Sequence, residues 1–395
     1  MKFFKASIVL AAAISATLLL NSCKKDDMSS GSSLPPGEET CDPVIFSSRP
    51  AATGYIVILK SPGDNLSKNY IDLQTSIATV LSANDIAGGR IQYNLQGGAN
   101  GFVAILTKEE AGKIAADDHV EFVEPDRIIK LGTACFTLVN PSTAQWGVKR
   151  TGVGDGTGKT AWIIDTGVDF DHPDLTIDKT RSKNFLNTQA LATDDNGHGT
   201  HVAGIIGALN NNTGVLGVAS GAKIVALKVL DNTGEGNTGY IFQALNYINQ
   251  AAVAGDVVNM SLGADTVANA LDNLVKNIAA KGILFSIAAG NSSKAANLSS
   301  PARASHPNIY TVSAIDSTGR FASFSNFGND VVDYAAPGVN IVSTYNNGRY
   351  ARLSGTSMAA PHMAGILLLN KNAVKTKGLA ANDPDGTADP IASVN

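Results

Sequence analysis

Cysteine, aromatic residues and charge of one sign are all scarce in this 395-residue chain. Lys and Arg number 30 against 34 Asp and Glu, a formal net charge of -4, so the basic footprint that nucleic-acid partners require is missing. Aromatics make up only 6%. With few large rings to fill a core, the 39 glycines and many alanines suit closely packed helices on a sheet with elaborate loops. Only three cysteines are present, too few for a disulfide-built scaffold. No apolar run reaches the roughly 20 residues of a membrane span. The longest, Ala6 to Leu20, stops at Asn21. What is present is length and a 44% hydrophobic content, enough for one full-sized domain plus a smaller one.

The chain opens on Met1-Lys2-Phe3-Phe4-Lys5, a basic start followed by that apolar run, which is the pattern of a signal peptide. Leu20-Asn21-Ser22-Cys23 resembles a bacterial lipobox, with Asn21 a departure from it, so Cys23 is expected to become a lipidated N-terminus. The Ser/Gly/Pro/Glu-rich stretch that follows reads as a solvated tether. That leaves Cys41 and Cys135, an even pair in an exporting context. They either join as a disulfide tying the first domain to the second or stay unpaired thiols.

From Tyr55-Ile56-Val57-Ile58-Leu59-Lys60 the β-branched pattern predicts a strand, and apolar spacing over Leu66 to Ala83 predicts a helix. Two strands follow at 91–95 and 101–106, then a helix at 108–116 and a strand at 120–126. The order is that of a small split βαβ sandwich. Beyond Trp146 the pattern changes to buried strands alternating with helices, at 160–164, 223–230, 257–261 and 283–288. A parallel sheet covered on both faces is expected, with functional groups at the carboxyl ends of its strands.

Four motifs carry chemistry. Asp165-Thr166-Gly167 ends the strand at 160–164, and taken alone it is a weak signal. Asn196-Gly197-His198-Gly199-Thr200-His201 places glycines around a histidine at the start of a small-residue helix. No glutamate lies between its two histidines as a zincin requires, so metal binding is set aside. Ala288-Ala289-Gly290-Asn291 puts an amide on a strand-end loop, and Gly355-Thr356-Ser357-Met358 puts a serine where a loop enters an apolar helix. That helix end supplies N–H groups and a positive dipole to an adjacent oxyanion.

In the order Asp, His, Asn, Ser these motifs resemble the subtilisin family of serine peptidases, proteinase K-like, and the order separates them from α/β-hydrolases and chymotrypsin. The 55–126 segment, opening on Tyr55-Ile56-Val57-Ile58-Leu59-Lys60 and closing on Val123-Glu124-Pro125-Asp126, resembles that family's inhibitor-type propeptide. The resemblance implies a signal peptide over 1–22, a tether over 23–50, a propeptide over 51–133 and a subtilisin-like α/β peptidase domain over 134–395. It implies Ser357 as nucleophile, His198 as general base and then acid, Asp165 as its orienting partner and Asn291 as oxyanion-hole amide. His201 and His362 have no counterpart and are expected to be structural.

The same resemblance implies two substrate edges. One is Ser261-Leu262-Gly263, forming a wall of the primary specificity pocket opposite Ala288-Ala289-Gly290. The other is Asn237-Thr238-Gly239-Tyr240. Uncharged walls imply a broad preference for apolar or aromatic residues before the cut. Catalysis needs no cofactor, while Pro307, Ile309 and Asp333 match positions that ligate a structural calcium. Expected partners are protein or peptide substrates, the chain's own propeptide and a membrane reached through the N-terminal lipid. The chain is expected to act as a monomer, exported across the inner membrane and anchored at the outer membrane or cell surface. Self-processing is expected between Ile129 and Ala134. Two sequence features are given bland readings, the 154–160 glycine run as a surface turn and the Asp383–Asp389 tail as a polar turn. The helix that usually follows the serine helix is missing or replaced.

Overall fold

The computed structural model describes residues 43–60, 70–132, 136–141 and 144–395, the side chains of residues 70 and 71 excepted. Cys23, Cys41 and Cys135, with the export segment and most of the tether, lie outside these residues.

In the N-terminal domain the β-branched runs become strands β1 (Phe46–Leu59), β2 (Ile91–Leu95), β3 (Gly101–Ile105) and β4 (Val120–Leu131). They are antiparallel in the order β4-β1-β3-β2, with helices α1 (Tyr70–Ala83) and α2 (Lys108–Ala115). Period-two alternation gives this sheet two apolar faces. Val57, Leu59, Phe102 and Ala104 turn inward onto the domain's own helices in one core. Ile56, Ile58, Val103 and Ile129 belong instead to the large core of the C-terminal domain. A sheet this small buries its second face only against a partner. Its partner is the helix pair Thr238–Ala251 and Asn269–Ala279.

Two carboxylates fix that contact. The helix Asn269–Ala279 starts after Ala268, which offers no capping side chain. Glu124 replaces it, accepting the Asn269 N–H at 2.9 Å and the Ala270 N–H. Asp126 accepts the Gly239 N–H at 3.0 Å and the Thr238 hydroxyl at 2.7 Å at the start of the other helix. A cap of this kind contributes about 1 kcal/mol. Replacing both residues by alanine is therefore expected to raise the dissociation constant of the isolated 51–132 segment for the rest of the chain by about 30-fold, the ratio that about 2 kcal/mol gives. A titration that finds an unchanged constant would show that the caps are idle.

The C-terminal domain is built on a ten-stranded sheet whose central strands, Lys223–Lys228, Thr160–Asp165, Val257–Met260, Leu284–Ala288, Ile309–Ile315 and Tyr334–Pro337, are parallel in that spatial order. After Thr160–Asp165 the chain fills one side and then the other. The carboxyl end of this strand is thus the topological switch point, where a crevice opens. The missing second helix is explained here. Lys375–Leu379 and Pro390–Ser393 form a hairpin, and the latter strand extends the parallel sheet beside Tyr334–Pro337.

Candidate active site

Asp165, the last residue of its strand, is fully buried, and its Oδ1 and Oδ2 lie 2.8 and 3.0 Å from His198 Nδ1. The helix bearing His198 can come this close because Gly199 has no side chain. A Cβ there would sit 2.1 Å from the Gly167 carbonyl oxygen. Asp194 locks the approach, accepting the Gly197 N–H, the Thr200 N–H and hydroxyl, and the Thr166 hydroxyl. Lys228 holds the other side of the Asp165 strand end. Its buried ammonium donates to the Thr166 and Leu230 carbonyls at 2.6 and 2.8 Å and pairs with Asp195.

Burial pushes the His198 imidazole down, but the Asp165 charge and hydrogen bond outweigh it and raise its pKa. A general base must be neutral, so activity is gained as pH rises through this raised value. The acid limb of kcat/KM is therefore expected above imidazole's ordinary value near 6.5. A limb at or below that value in a pH-rate profile would contradict the Asp165 contact. His201 and His362 sit apart from this chemistry. Their rings bond backbone carbonyls, and burial lowers them to about 3 and about 4.

Ser357 lies in the first turn of the helix Thr356–Asn370. Pro361, four residues on, has no N–H for the Ser357 carbonyl. That carbonyl instead takes the Ser261 hydroxyl at 2.8 Å, tying the Ser357 backbone to a pocket wall. The Ser357 hydroxyl donates to the Ser261 carbonyl at 3.3 Å. His198 Nε2 is buried and has no partner among the described residues. It faces a cavity of about 340 Å³ also lined by Leu131, Gly132, Asn196 and Tyr345. The imidazole and the Ser357 hydroxyl are therefore each held in place with no hydrogen bond between them. Asn291 Oδ1 accepts the Thr356 N–H and hydroxyl, both at 2.8 Å, which turns its Nδ2 into the cleft. There Nδ2 donates to the Val44 carbonyl at 2.6 Å.

The pocket beside Asn291 is lined by Leu262 and Gly263 on one side and Ala288, Ala289 and Gly290 on the other, with Ser299 and Ser300 also in its lining. The expectation of wholly uncharged walls needs correction. Asp265 and Lys294 also line the pocket, the lysine bonded to the Asp265 carbonyl. The expected second edge, Asn237-Thr238-Gly239-Tyr240, is corrected too. The extended segment here is Glu235–Asn237, paired antiparallel with β4 through Glu235↔Lys130, Gly236↔Ile129 and Asn237↔Ile128, and the Leu131 N–H reaches the Gly234 carbonyl. Of the expected residues only Asn237 lies on it. Thr238, Gly239 and Tyr240 begin a helix because Asn237 accepts the Tyr240 N–H and caps it, and Tyr240 stacks on Tyr93 of the N-terminal domain. Asp194, Lys228 and Glu235 escaped sequence reasoning. Only Asp194, two residues before the Asn196–Gly197–His198 run, carried a usable signal.

Residues 156–383 match the model of the Subtilase family, and residues 54–132 match that of Peptidase inhibitor I9. The chain is 38% identical to a thermostable alkaline protease of Halalkalibacterium halodurans, over 68% of this chain and 72% of that one. It is 34% identical to alkaline serine exoprotease A of Vibrio alginolyticus, over 80% of this chain but 60% of the relative's length. The solved structure of a cold adapted subtilisin-like serine proteinase superposes with a TM-score of 0.57 at 35% identity, covering 64% of this chain and 99% of that one. The chain belongs to the subtilase family of serine endopeptidases, with an inhibitor domain of the I9 type ahead of its subtilisin-like α/β domain.

Proposed function

We propose that this chain is an exported, lipid-anchored endopeptidase that cuts its own propeptide free and then hydrolyses proteins, with a broad preference for apolar or aromatic residues before the cut. The observation that carries self-processing is the course of β4. Its Ile128–Leu131 portion lies on the Glu235–Asn237 edge as a substrate strand would, and Leu131 and Gly132 end at the cavity beside His198. In the reaction the Ser357 oxygen bonds to the substrate carbonyl carbon while its proton passes to His198. The carbonyl oxygen, now an anion, is held by Asn291 Nδ2. His198 then returns the proton to the leaving amine, and water repeats the sequence to release the acyl group. The preference for apolar residues is supported by the pocket, whose Ala288–Gly290 and Leu262–Gly263 stretches offer carbon and backbone.

Export and anchoring rest on the Met1–Cys23 sequence. The mass of the mature N-terminus tests them: a diacylglyceryl adduct on Cys23 is expected, and an unmodified N-terminus would refute the anchor.

Structural calcium rests on Pro307, Ile309 and Asp333. The Asp333 Oδ2 accepts the Thr311 N–H at 2.8 Å, and burial raises its carboxyl to about 6, with only that amide opposing the shift. One carboxylate with two backbone carbonyls is a donor set that a hard, partly hydrated cation accepts. Chelator is expected to lower the melting temperature of the wild type and to leave that of Asp333→Ala unchanged. Equal melting curves for the wild type with and without chelator would refute the site.

A further inference from the structure

We propose that the segment leading into the inhibitor domain, Val44–Arg49, is a second inhibitory strand. It lies backwards in the catalytic cleft and closes the primary specificity pocket with Phe46. This inference rests on the peptidase reading above.

In the cleft β4 runs as a substrate does, antiparallel to the Glu235–Asn237 edge. The start of β1 pairs antiparallel with the other side of β4, through Phe46↔Leu131, Ser47↔Lys130 and Ser48↔Ile129. It therefore runs opposite to a substrate. Its place is the one a substrate strand would need in order to reach the Ser261–Gly263 wall, and the Gly132 N–H donates to the Ile45 carbonyl at 2.7 Å.

Val44 and Phe46 are 1% and 7% exposed, while Ile45 between them is 49% exposed, so alternate residues point into the cleft. The Phe46 side lines the pocket with Leu262, Gly263 and Ala288–Gly290. The Val44 N–H donates to the Ser354 carbonyl at 3.2 Å, and the Val44 carbonyl takes the Asn291 amide. Ser48 bonds the Asp265 carboxylate at the pocket rim, and Arg49 lies 3.9 Å from Glu235 across β4.

Reversal explains why such a strand can block the site and survive. In a productive substrate the nitrogen that follows the held carbonyl leads away from the specificity pocket, toward the proton on His198. Here the nitrogen that follows the Val44 carbonyl belongs to Ile45 and leads toward Phe46 and the pocket. The leaving amine would emerge on the wrong side of the carbonyl for His198 to protonate. Asn291 Nδ2, occupied by Val44, is also denied to the bond that must be cut near Gly132. The lead strand thus has to withdraw before self-processing can occur, which makes it a gate on activation.

The test uses the full chain. A photoreactive benzoylphenylalanine placed at 46 in the Ser357→Ala precursor is expected to crosslink to the tryptic peptides Val229–Lys276, Gly282–Lys294 or Ala295–Arg303. In the active chain, Phe46→Asp is expected to speed conversion of precursor to mature enzyme about tenfold or more, and Phe46→Tyr to leave it near the wild-type rate. Crosslinks confined to residues 91–132 overturn the proposal, whether or not Phe46→Asp folds. So does a Phe46→Asp precursor that folds and matures at the wild-type rate. Fluorophosphonate labelling of the matured enzyme keeps the two readings apart. Labelled enzyme with either of those results removes the gate alone, whereas mature protein that takes no label removes the peptidase reading beneath it.

Discussion

Replacing Ser357 by alanine is expected to leave the purified chain as precursor, its propeptide uncut through any incubation that fully matures the wild type. The oxygen that would bond to the scissile carbonyl is removed, while the helix that carries it is held by contacts the substitution does not touch. Its backbone carbonyl keeps the Ser261 hydroxyl, and Thr356 keeps Asn291. The loss in kcat is about 10⁶-fold, a magnitude measured in subtilisin itself and carried over to this relative. The variant should fold, because Ser357 is a small buried residue whose side chain makes a single hydrogen bond among the described residues, the 3.3 Å one to the Ser261 carbonyl. Maturation of Ser357→Ala in a purified reaction would show that the Ser357 hydroxyl does not make the cut.

Replacing Asn291 by alanine is the second large effect. Its Oδ1 is consumed by Thr356, so the side chain is pre-aimed and costs no reorganisation when the substrate oxygen becomes negative. The expected loss is about 10² to 10³ in kcat with KM little changed, again the range known from subtilisin. A variant with raised KM and intact kcat would mean that the amide binds ground-state substrate and does not stabilise the anion.

The chemistry was legible in the sequence because each group sits inside a run whose neighbours are dictated by close approach. Gly199 must be bare to let His198 reach Asp165, and the serine is followed by Pro361 four residues on. Such constraints leave residue types that can be read without coordinates. The propeptide was legible for a different reason, since its strands and helices follow one another as short β-branched runs and apolar helical spacings in the order of a split βαβ sandwich. What escaped was held by partners remote in the chain. The Glu235–Asn237 edge sits in the glycine-rich Asp231–Asn237 stretch and reads as a turn, and becomes a strand only when β4 lies on it. The Val44–Arg49 strand has Pro50 behind it and a register shift between Pro50 and Tyr55, so no continuous period reaches it from Tyr55. Its bonds to Ser354 and Asn291 span more than half the chain. Lys228 lies within the 223–230 run with nothing local to mark it, and its burial follows from three oxygen partners that no local pattern announces.

The account's central claim is that Ser357 becomes a nucleophile only in concert with His198 and Asp165, once the cleft is cleared of the chain's own N-terminal domain. Fluorophosphonate labelling followed through maturation, with the adduct located by peptide mass spectrometry, tests this most directly. The account predicts little label on the precursor, a label on Ser357 that grows in step with propeptide release, and none on His198→Ala. Label that appears at full rate on the precursor, or on a residue other than Ser357, would contradict it.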